Sequence, residues 1–197
     1  MKLVLATRNK DKITEIKALL QNLHIEIYTF DDFEYFPDVV EDRNTLEGNA
    51  EKKAREIYNI TGMPAMADDT GLFVDALDGE PGVFSSRYAG EHVTYEDNRK
   101  KLLMEMKDIP ADKREAFFKT AIVLILSEDK KFIVEGRCDG YIGFEEKGTM
   151  GFGYDPIFYL HDSGKSFAEL TVEEKNRISH RGRALKKMKK VIEKLTK

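Results

Sequence analysis

Strand-like apolar runs alternate along this chain with stretches whose apolar residues recur every three or four positions, a pattern typical of α/β folds. Strands are predicted over residues 2–6 and 25–29, each followed by a helix. A third strand is expected over residues 64–76, interrupted by a turn between Asp68 and Leu72. Two β-rich runs around the sequence SEDK predict a hairpin. The sequence therefore predicts a mixed sheet flanked by helices.

Capping residues mark the expected helix boundaries. Asn44 or Thr45 is expected to cap the second helix, and Gly62 to end it. Thr94 and Thr171 each stand three positions before an acidic residue, the pattern of a capping box. A basic C-terminal helix is predicted from an apolar stripe made of Ala184, Leu185, Met188, Val191, Ile192 and Leu195.

Length and composition favour one intracellular domain. A chain of 197 residues with 41% apolar content is long enough to bury a substantial core. No apolar run approaches the roughly 18 residues of a membrane span, and the N-terminal residues are too polar for a signal peptide. Cys138 is the single cysteine, so no internal disulfide is expected and a reducing cytoplasm is the expected location.

The net charge of −4 conceals two segments of opposite sign. Residues 31–51 hold eight acidic residues and one arginine, a net charge of −7. Residues 175–197 hold ten basic residues and one glutamate, a net charge of +9. Patches of opposite sign suit an anion that carries a metal cation, and the alternative is two solvated faces.

The stretch LVLATRNKDKITEI predicts a strand, a polar loop and a helix. Main-chain amides at a helix N-terminus stabilise anions, Lys12 adds a full positive charge, and Thr7 and Asn9 can donate to phosphate oxygens. The glycines and the GK[ST] ending of a Walker loop are missing. The alternative is an ordinary capped helix after a strand.

Asp68 and Asp69 are adjacent acids in a strand-like context, where neighbouring side chains point to opposite faces. Mg²⁺ accepts one or two protein carboxylates, and Asp69 can take a proton from an attacking water. Glu41 is a candidate for a further carboxylate, with Asp42 and Glu47 as alternatives. A turn that caps two strands would explain the same pair of acids without chemistry.

Two later stretches carry possible base and phosphate contacts. GFGYDPIF surrounds Phe152 with glycines, and an aromatic ring offers a stacking face to a base. In EEKNRISHRGRA the donors Lys175, His180 and Arg181 could read a carbonyl edge of a base or neutralise phosphate. The alternatives are an aromatic core residue beside a tight turn and an ordinary basic helix end. Together with the carboxylates, these features indicate a base, a polyphosphate and a divalent metal.

Four blocks in order, TRNKDK, ADDTGLFVDALDGEPGVFSSRYAG, GFGYDPIF and SHRGRAL, resemble the inosine triphosphate pyrophosphatases, also called XTP/dITP diphosphatases. The resemblance extends from residue 2 to about 190 and implies a long mixed sheet in a single domain, residues 1–197, with two lobes and a central cleft. It also implies a homodimer, a Mg²⁺ requirement and no nucleic-acid or membrane partner. The implied reaction converts ITP, dITP or XTP to the monophosphate and pyrophosphate, which removes deaminated purines from the nucleotide pool.

The resemblance also implies roles for individual residues. Asp69 matches the general base and a metal ligand, Glu41 matches the metal position, and Asp68 matches either a metal ligand or a group that orients Asp69. The implied substrate-binding residues are Thr7, Arg8, Asn9, Lys10, Asp11, Lys12, Thr70, Phe152, Gly153, Tyr154, Asp155, Lys175, His180 and Arg181. Residues 7–12 would hold the phosphates, and residues 152–155 would enclose the base and sugar.

The chain departs from the family pattern at four positions. Its second block reads TLEGNAEKKA, so Leu46 and Gly48 stand where the family often has Phe and Glu. Arg8 stands where the family often has a small residue. Thr70 stands where the family commonly has Ser, and both side chains carry a hydroxyl. The role of the missing Glu and the phosphate contacts near Arg8 are therefore open.

Base selectivity has a physical rationale in this family. Hypoxanthine and xanthine carry a 6-oxo acceptor where adenine carries a 6-amino donor, so a donor from His180 or Arg181 would reject ATP. One alternative function is a sibling nucleotide pyrophosphatase that acts on other modified nucleotides. A second is a nucleic-acid-binding protein that uses the basic C-terminal helix, and a third is an aspartyl-phosphate phosphatase.

Overall fold

The computed structural model describes residues 1–196, and among them the chain forms five α-helices and a seven-stranded mixed sheet. The predicted α/β class is therefore confirmed. In chain order the elements are β1 (Lys2–Leu5), α1 (Lys10–Leu20), β2 (Glu26–Tyr28), α2 (Leu46–Thr61), β3 (Ala65–Val74), β4 (Pro81–Gly82), α3 (Tyr95–Glu105), β5 (Glu115–Ser127), β6 (Lys130–Ile142), β7 (Phe158–Tyr159), α4 (Val172–Ile178) and α5 (His180–Leu195).

The sheet has the strand order β2-β1-β3-β5-β6-β7, with β4 paired to β3. β1 is parallel to both of its neighbours, with Lys2 opposite Glu26 and Val4 opposite Ala65. β4 is antiparallel to β3, and β7 is antiparallel to β6. β5 and β6 are neighbours joined by the two residues 128–129, as the SEDK hairpin predicts.

The chain divides into two compact units. Unit 1 contains residues 1–69, residues 120–136 and the chain from residue 181 onward, and unit 2 contains residues 70–119 and 137–180. The chain passes from one unit to the other between Asp69 and Thr70 and again between His180 and Arg181. The predicted single domain of two lobes with a central cleft stays a prediction.

The core of unit 1 explains the uninterrupted apolar sequence of β1. Leu3 and Leu5 pack with α1 and α5, whereas Val4, on the other face of the strand, packs with α2. A strand that is covered on both faces shows no apolar–polar alternation. The predicted apolar stripe of α5 is buried at Ala184, Leu185, Met188 and Ile192. In unit 2 a separate core contains Leu72, Val74, Leu102, Met106, Phe118, Phe158 and Phe167.

The helix caps follow the sequence signals. Thr45 caps α2, its hydroxyl oxygen accepting a hydrogen bond from Gly48 N at 3.0 Å, and Gly62 ends that helix with φ 65°. Capping boxes begin α3 at Thr94 and α4 at Thr171. Side-chain caps satisfy main-chain amides that have no partner within a helix. The predicted boundaries of these helices are therefore confirmed.

The predicted turn after Asp68 is wrong, because β3 runs unbroken from Ala65 to Val74. A Cβ atom on Gly71 would lie 2.5 Å from the carbonyl oxygen of Gly82 in β4. Glycine is present here because two backbones approach closely, and such a glycine resembles a turn signal in the sequence. The two acids consequently lie inside a strand and not at its end.

His180 and Arg181 are the first residues of α5, whereas the sequence placed them just before it. Cys138 is buried in the core of unit 2. Across residues 1–196 no helix is both long and apolar enough to cross a bilayer.

Candidate functional site

Asp68 lies in a buried ionic network of unit 1. Its carboxylate is 3.1 Å from Lys12 Nζ and accepts a hydrogen bond from Arg181 Nε at 3.1 Å, and Arg181 also donates to Glu15 at 2.5 Å. Asp68 and Arg181 are each 1% exposed. Burial by itself raises the pKa of Asp68, but Lys12 and Arg181 outweigh it and hold that pKa below its ordinary range. Asp68 is therefore ionised, and its charge fixes the two cations.

Asp69, the next residue of β3, contacts a different set of side chains, as alternation along a strand requires. Asn49 Nδ2 donates to it at 3.1 Å, and Lys53 Nζ lies 3.4 Å from its other carboxylate oxygen. Lys53 also donates to Glu41 at 2.5 Å. Burial raises the pKa of Asp69. The positive charge of Lys53 lowers that pKa, and the negative charge of Glu41 raises it further. A carboxylate with a raised pKa is a stronger proton acceptor than an ordinary one.

Both the main chain and the amide partner of Asp69 are fixed by neighbouring elements. Thr120 Oγ1, in β5, donates to the carbonyl oxygen of Asp69 at 2.8 Å. Asn49 Oδ1 accepts a hydrogen bond from Arg43 N at 2.9 Å, so the amide nitrogen of Asn49 is directed to Asp69. The carboxylate orientation is thus determined by α2, by the segment before it and by the neighbouring strand.

Glu41, Asp42 and Glu47 are the alternatives for the third carboxylate, and the structure gives them different contacts. Glu41 contacts Lys53, the lysine that also contacts Asp69. Asp42 instead lies 2.9 Å from Lys52. Glu47 is exposed in the first turn of α2. Glu41 is therefore the acid that shares a cation with Asp69.

The donor set of Glu41 and Asp69 fits Mg²⁺. Two carboxylates approach one cationic group, Lys53 Nζ, so negative charge is concentrated around a positive centre. Within residues 1–196 no cluster of three or more His, Cys, Asp or Glu side chains is arranged to hold a metal ion. Mg²⁺ needs only one or two protein carboxylates when phosphate oxygens and water fill its other positions.

The loop before α1 is closed by its own side chains. Asn9 caps the helix, its Oδ1 accepting hydrogen bonds from Asp11 N at 3.0 Å and from Lys12 N at 3.1 Å. Asn9 N donates to Thr7 Oγ1 at 3.1 Å. The side chains of Lys10 and Asp11 are exposed. The loop has the capped-helix geometry, and phosphate binding by it stays a prediction.

In unit 2 the predicted base-binding loop is fixed by a buried ion pair. Lys175 Nζ lies 2.6 Å from Asp155 Oδ2, and each residue is 3% exposed. The same carboxylate oxygen accepts a hydrogen bond from Phe152 N at 2.7 Å, and Lys175 Nζ lies 4.8 Å from the centre of the Phe152 ring. Gly153 O accepts a hydrogen bond from Arg99 at 3.0 Å. These contacts bring Phe152, Gly153, Asp155 and Lys175 together.

Tyr154 is buried, 5% exposed, and donates from its hydroxyl to Ser85 O at 2.8 Å. Ser85 in turn accepts a hydrogen bond from Leu72 N at 2.9 Å through its hydroxyl oxygen. Tyr154 therefore anchors the segment after β4, and the predicted enclosure of a base by its ring stays a prediction. His180 is 3% exposed and stacks on Phe118, with ring centres 4.5 Å apart. Thr70 is half-buried in β3.

Sequence reasoning did not assign Asn49, Lys53, Glu15 or Thr120 to the site. Asn49 and Lys53 stand four positions apart on the apolar face of α2, where they are buried beside Ala50. Polar residues inside an apolar helical stripe are a detectable signal, because burial of a polar group requires a partner. Glu15 breaks the apolar face of α1 in the same way.

The sequence and the fold resemble those of known proteins. The model of the Ham1 family matches residues 3–191. A dITP/XTP pyrophosphatase from Geobacter sulfurreducens is 49% identical over 188 residues, which cover 95% of this chain and 94% of the relative. One from a Thermoanaerobacter species is 47% identical over 192 residues, which cover 98% and 96% of the two chains.

Solved structures show the same likeness. A HAM1 protein from Coxiella burnetii superposes with a TM-score of 0.90 at 40% identity, covering 98% of this chain and 99% of the other. A nucleoside-triphosphatase / dITP/XTP pyrophosphatase from Mycobacterium abscessus superposes with a TM-score of 0.77 at 41% identity, covering 95% and 98%. The resemblance predicted from the four sequence blocks is confirmed, and the chain belongs to the Ham1 family.

Proposed function

We propose that this protein is a nucleoside triphosphate pyrophosphatase that hydrolyses ITP, dITP and XTP to the monophosphate and pyrophosphate. Relatives that share 47–49% of their residues with nearly the whole chain are named dITP/XTP pyrophosphatases. The observation that carries the proposal is the setting of Asp69, buried beside Glu41 with a raised pKa. Such a carboxylate is suited to take a proton from water.

In the proposed reaction a water oxygen attacks the α-phosphorus of the triphosphate. Asp69 accepts a proton from this water, and the bond from the α-phosphorus to the bridging oxygen breaks. Pyrophosphate leaves with that oxygen, and the new P–O bond completes the monophosphate. Asn49 and Lys53 hold the carboxylate of Asp69 in one orientation during the proton transfer. A positioned base of this kind contributes about 10²- to 10⁴-fold to a rate.

Glu41 and Asp69 would hold the metal ion that the family resemblance implies. Mg²⁺ at these carboxylates would supply positive charge to the triphosphate oxygens. Asp68 would act indirectly, because its charge is already balanced by Lys12 and Arg181. Asp68 is thus proposed to orient its neighbours, the second of the two roles that its sequence position implied.

Substrate binding is proposed for two stretches of the chain. The loop of residues 7–12 would bind the phosphates through its backbone and through Lys12. Phe152 would stack on the base, and His180 would donate to its 6-oxo group. The support for this is the exposed polar loop at the start of α1 and the fixed position of the Phe152 loop. A homodimer in the cytoplasm is proposed on the family resemblance, and light scattering after size exclusion tests the dimer.

The test incubates the protein with Mg²⁺ and ITP, dITP, XTP, ATP, GTP or dTTP and separates pyrophosphate from orthophosphate. Pyrophosphate from ITP, dITP and XTP, lost in Asp69→Asn by about 10²- to 10⁴-fold, is the expected result. Asp139→Asn is the matched control, because Asp139 is an exposed carboxylate paired with Arg137. Release of orthophosphate, or equal turnover of every nucleotide, would replace the proposal with a general phosphohydrolase.

A further inference from the structure

Arg8, in the loop between β1 and α1, contacts the acidic segment, defined here as residues 31–44. Its guanidinium donates to the carbonyl oxygen of Phe36 and lies 2.8 Å from the carboxylate of Asp38. The guanidinium carbon also lies 5.6 Å from the ring centre of Phe30 and 5.8 Å from that of Phe36, within the range of cation–π attraction. One side chain therefore joins two separate loops of unit 1.

The acidic segment is the part of unit 1 that carries Glu41. Near its middle Phe36 is buried, 6% exposed, in the core beside α2. Further along, next to Glu41, Lys52 donates to the carbonyl oxygen of Val40 at 2.9 Å. Arg8 contacts the stretch that lies between these two attachments. The position of Glu41 therefore depends on a loop that Arg8 helps to hold.

The contacts of Arg8 differ in strength. The side chains of Arg8 and Asp38 are 47% and 87% exposed, a setting in which solvent screens an ion pair. The bond to the Phe36 carbonyl is charge-assisted and is made to a buried residue, so it is the stronger contact. Loss of Arg8 should therefore loosen the acidic segment more than loss of the Asp38 charge.

We propose that Arg8 is a positioning residue that holds Glu41 in place for the metal by joining the acidic segment to the loop before α1. The proposal rests on the function proposed above, in which Glu41 holds Mg²⁺. The charge of Arg8 faces Phe36 and Asp38, so its role differs from the direct phosphate contact that its position in the motif implies. The two roles make different predictions for binding of metal and of nucleotide.

The first measurement uses the nucleotide-free protein and chymotrypsin, with cleavage sites at Phe33 and Tyr35 identified by mass spectrometry. Arg8→Ala should speed cleavage there about fivefold or more, because proteases cut locally opened segments. Asp38→Asn should speed it about twofold, and the double variant should match Arg8→Ala, as expected for residues in one interaction. Lys10→Ala, which removes an exposed cation from the first turn of α1, two positions after Arg8, is the control for this measurement and should leave cleavage unchanged.

The second measurement compares the Mg²⁺ concentration for half-maximal ITP hydrolysis with the KM for nucleotide at saturating Mg²⁺. Arg8→Ala should raise the Mg²⁺ requirement about threefold or more and leave KM within about twofold. A raised KM with unchanged cleavage would overturn the proposal and make Arg8 a phosphate ligand. Unchanged cleavage with an unchanged Mg²⁺ requirement would also overturn it. Absence of hydrolysis by the wild-type protein would refute the proposed function, whereas the cleavage rates would still decide whether Arg8 holds the segment.

Discussion

Arg181 Nε lies 3.1 Å from the carboxylate of Asp68, and 1% of each residue is exposed to solvent. The pair joins the first turn of α5 to the middle of β3. An ion pair at this depth stabilises the fold only while both charges are present, because loss of one partner leaves the burial of the other less well compensated.

Removal of the Arg181 guanidinium should therefore lower the free energy of unfolding strongly. We expect Arg181→Ala to cost about 3–5 kcal/mol in urea unfolding, since the buried carboxylates of Asp68 and Glu15 each lose a guanidinium donor, although Lys12 still faces Asp68. Arg177→Ala is the matched control on α4, because the pair of Arg177 with Glu173 is exposed and should contribute less than about 1 kcal/mol. Equal losses in the two variants would contradict this account of the buried network.

Asn49→Ala should destabilise the protein because it removes a hydrogen bond to the buried carboxylate of Asp69 and another from Arg43 N. The side chain of Asn49 donates to Asp69 and accepts from Arg43 N, and the residue is fully buried. We expect a loss of about 1–3 kcal/mol in the free energy of unfolding, measured by urea denaturation. Asn59→Ala, at an exposed position near the end of the same helix, should change stability by less than about 0.5 kcal/mol.

His180→Ala should abolish the preference for ITP over ATP if His180 donates to the 6-oxo group. The measurement is kcat/KM for both nucleotides, and the expected change is loss of a discrimination that can reach about 10⁴-fold. His161→Ala is the control, since His161 is exposed and pairs with Glu115. Activity that falls equally on both nucleotides would show that His180 does not read the base.

Tyr88 should remain protonated well above the ordinary pH of tyrosine ionisation. Burial raises the pKa of Tyr88 to about 12, and the negative charge of Glu80 adds to the shift. The hydroxyl of Tyr88 donates a hydrogen bond to the carboxylate of Glu80 at 3.2 Å. Because the folded state binds this proton more tightly than the unfolded state, the stabilisation is complete below the ordinary value of 10.0 and is lost as pH rises through about 12.

The absorbance of tyrosinate near 295 nm, compared between wild type and Tyr88→Phe, measures this ionisation directly. The difference spectrum should stay flat through about pH 10 and rise only towards the shifted pKa. A difference that titrates near the ordinary value would mean that Tyr88 is solvated and makes no lasting bond to Glu80.

The sequence predicted the elements that local chemistry determines. Thr45, Thr94 and Thr171 cap helices because a side-chain oxygen meets an amide three residues away, and this interaction needs no distant partner. The buried strand β1 and the stripe of α5 follow from apolar spacing alone. The same reasoning located Asp68 and Asp69 but not the residues that they contact.

Contacts across long stretches of sequence could not be predicted. Asp68 meets Arg181 over 113 positions, and the charges of both residues look like solvated surface when the sequence is read locally. Arg114 is a stronger case, with 2% exposure and a guanidinium that donates to the carbonyl oxygens of Met106, Ile142 and Gly143. The sequence around it, ADKRE, is charged and looks locally like solvated surface. For Arg114 and Arg181 the burial follows from tertiary contacts that the local sequence does not show.

Gly71 imposes a restriction on how the strand with the two acids can vary. Its missing side chain leaves the space in which the Gly82 carbonyl lies, and that neighbour is backbone that cannot rotate away. A library of all twenty amino acids at position 71 should therefore yield folded protein only with glycine there. A strand interior ordinarily favours branched and aromatic residues instead. Any redesign of substrate preference must leave this position untouched and vary the side chains around it.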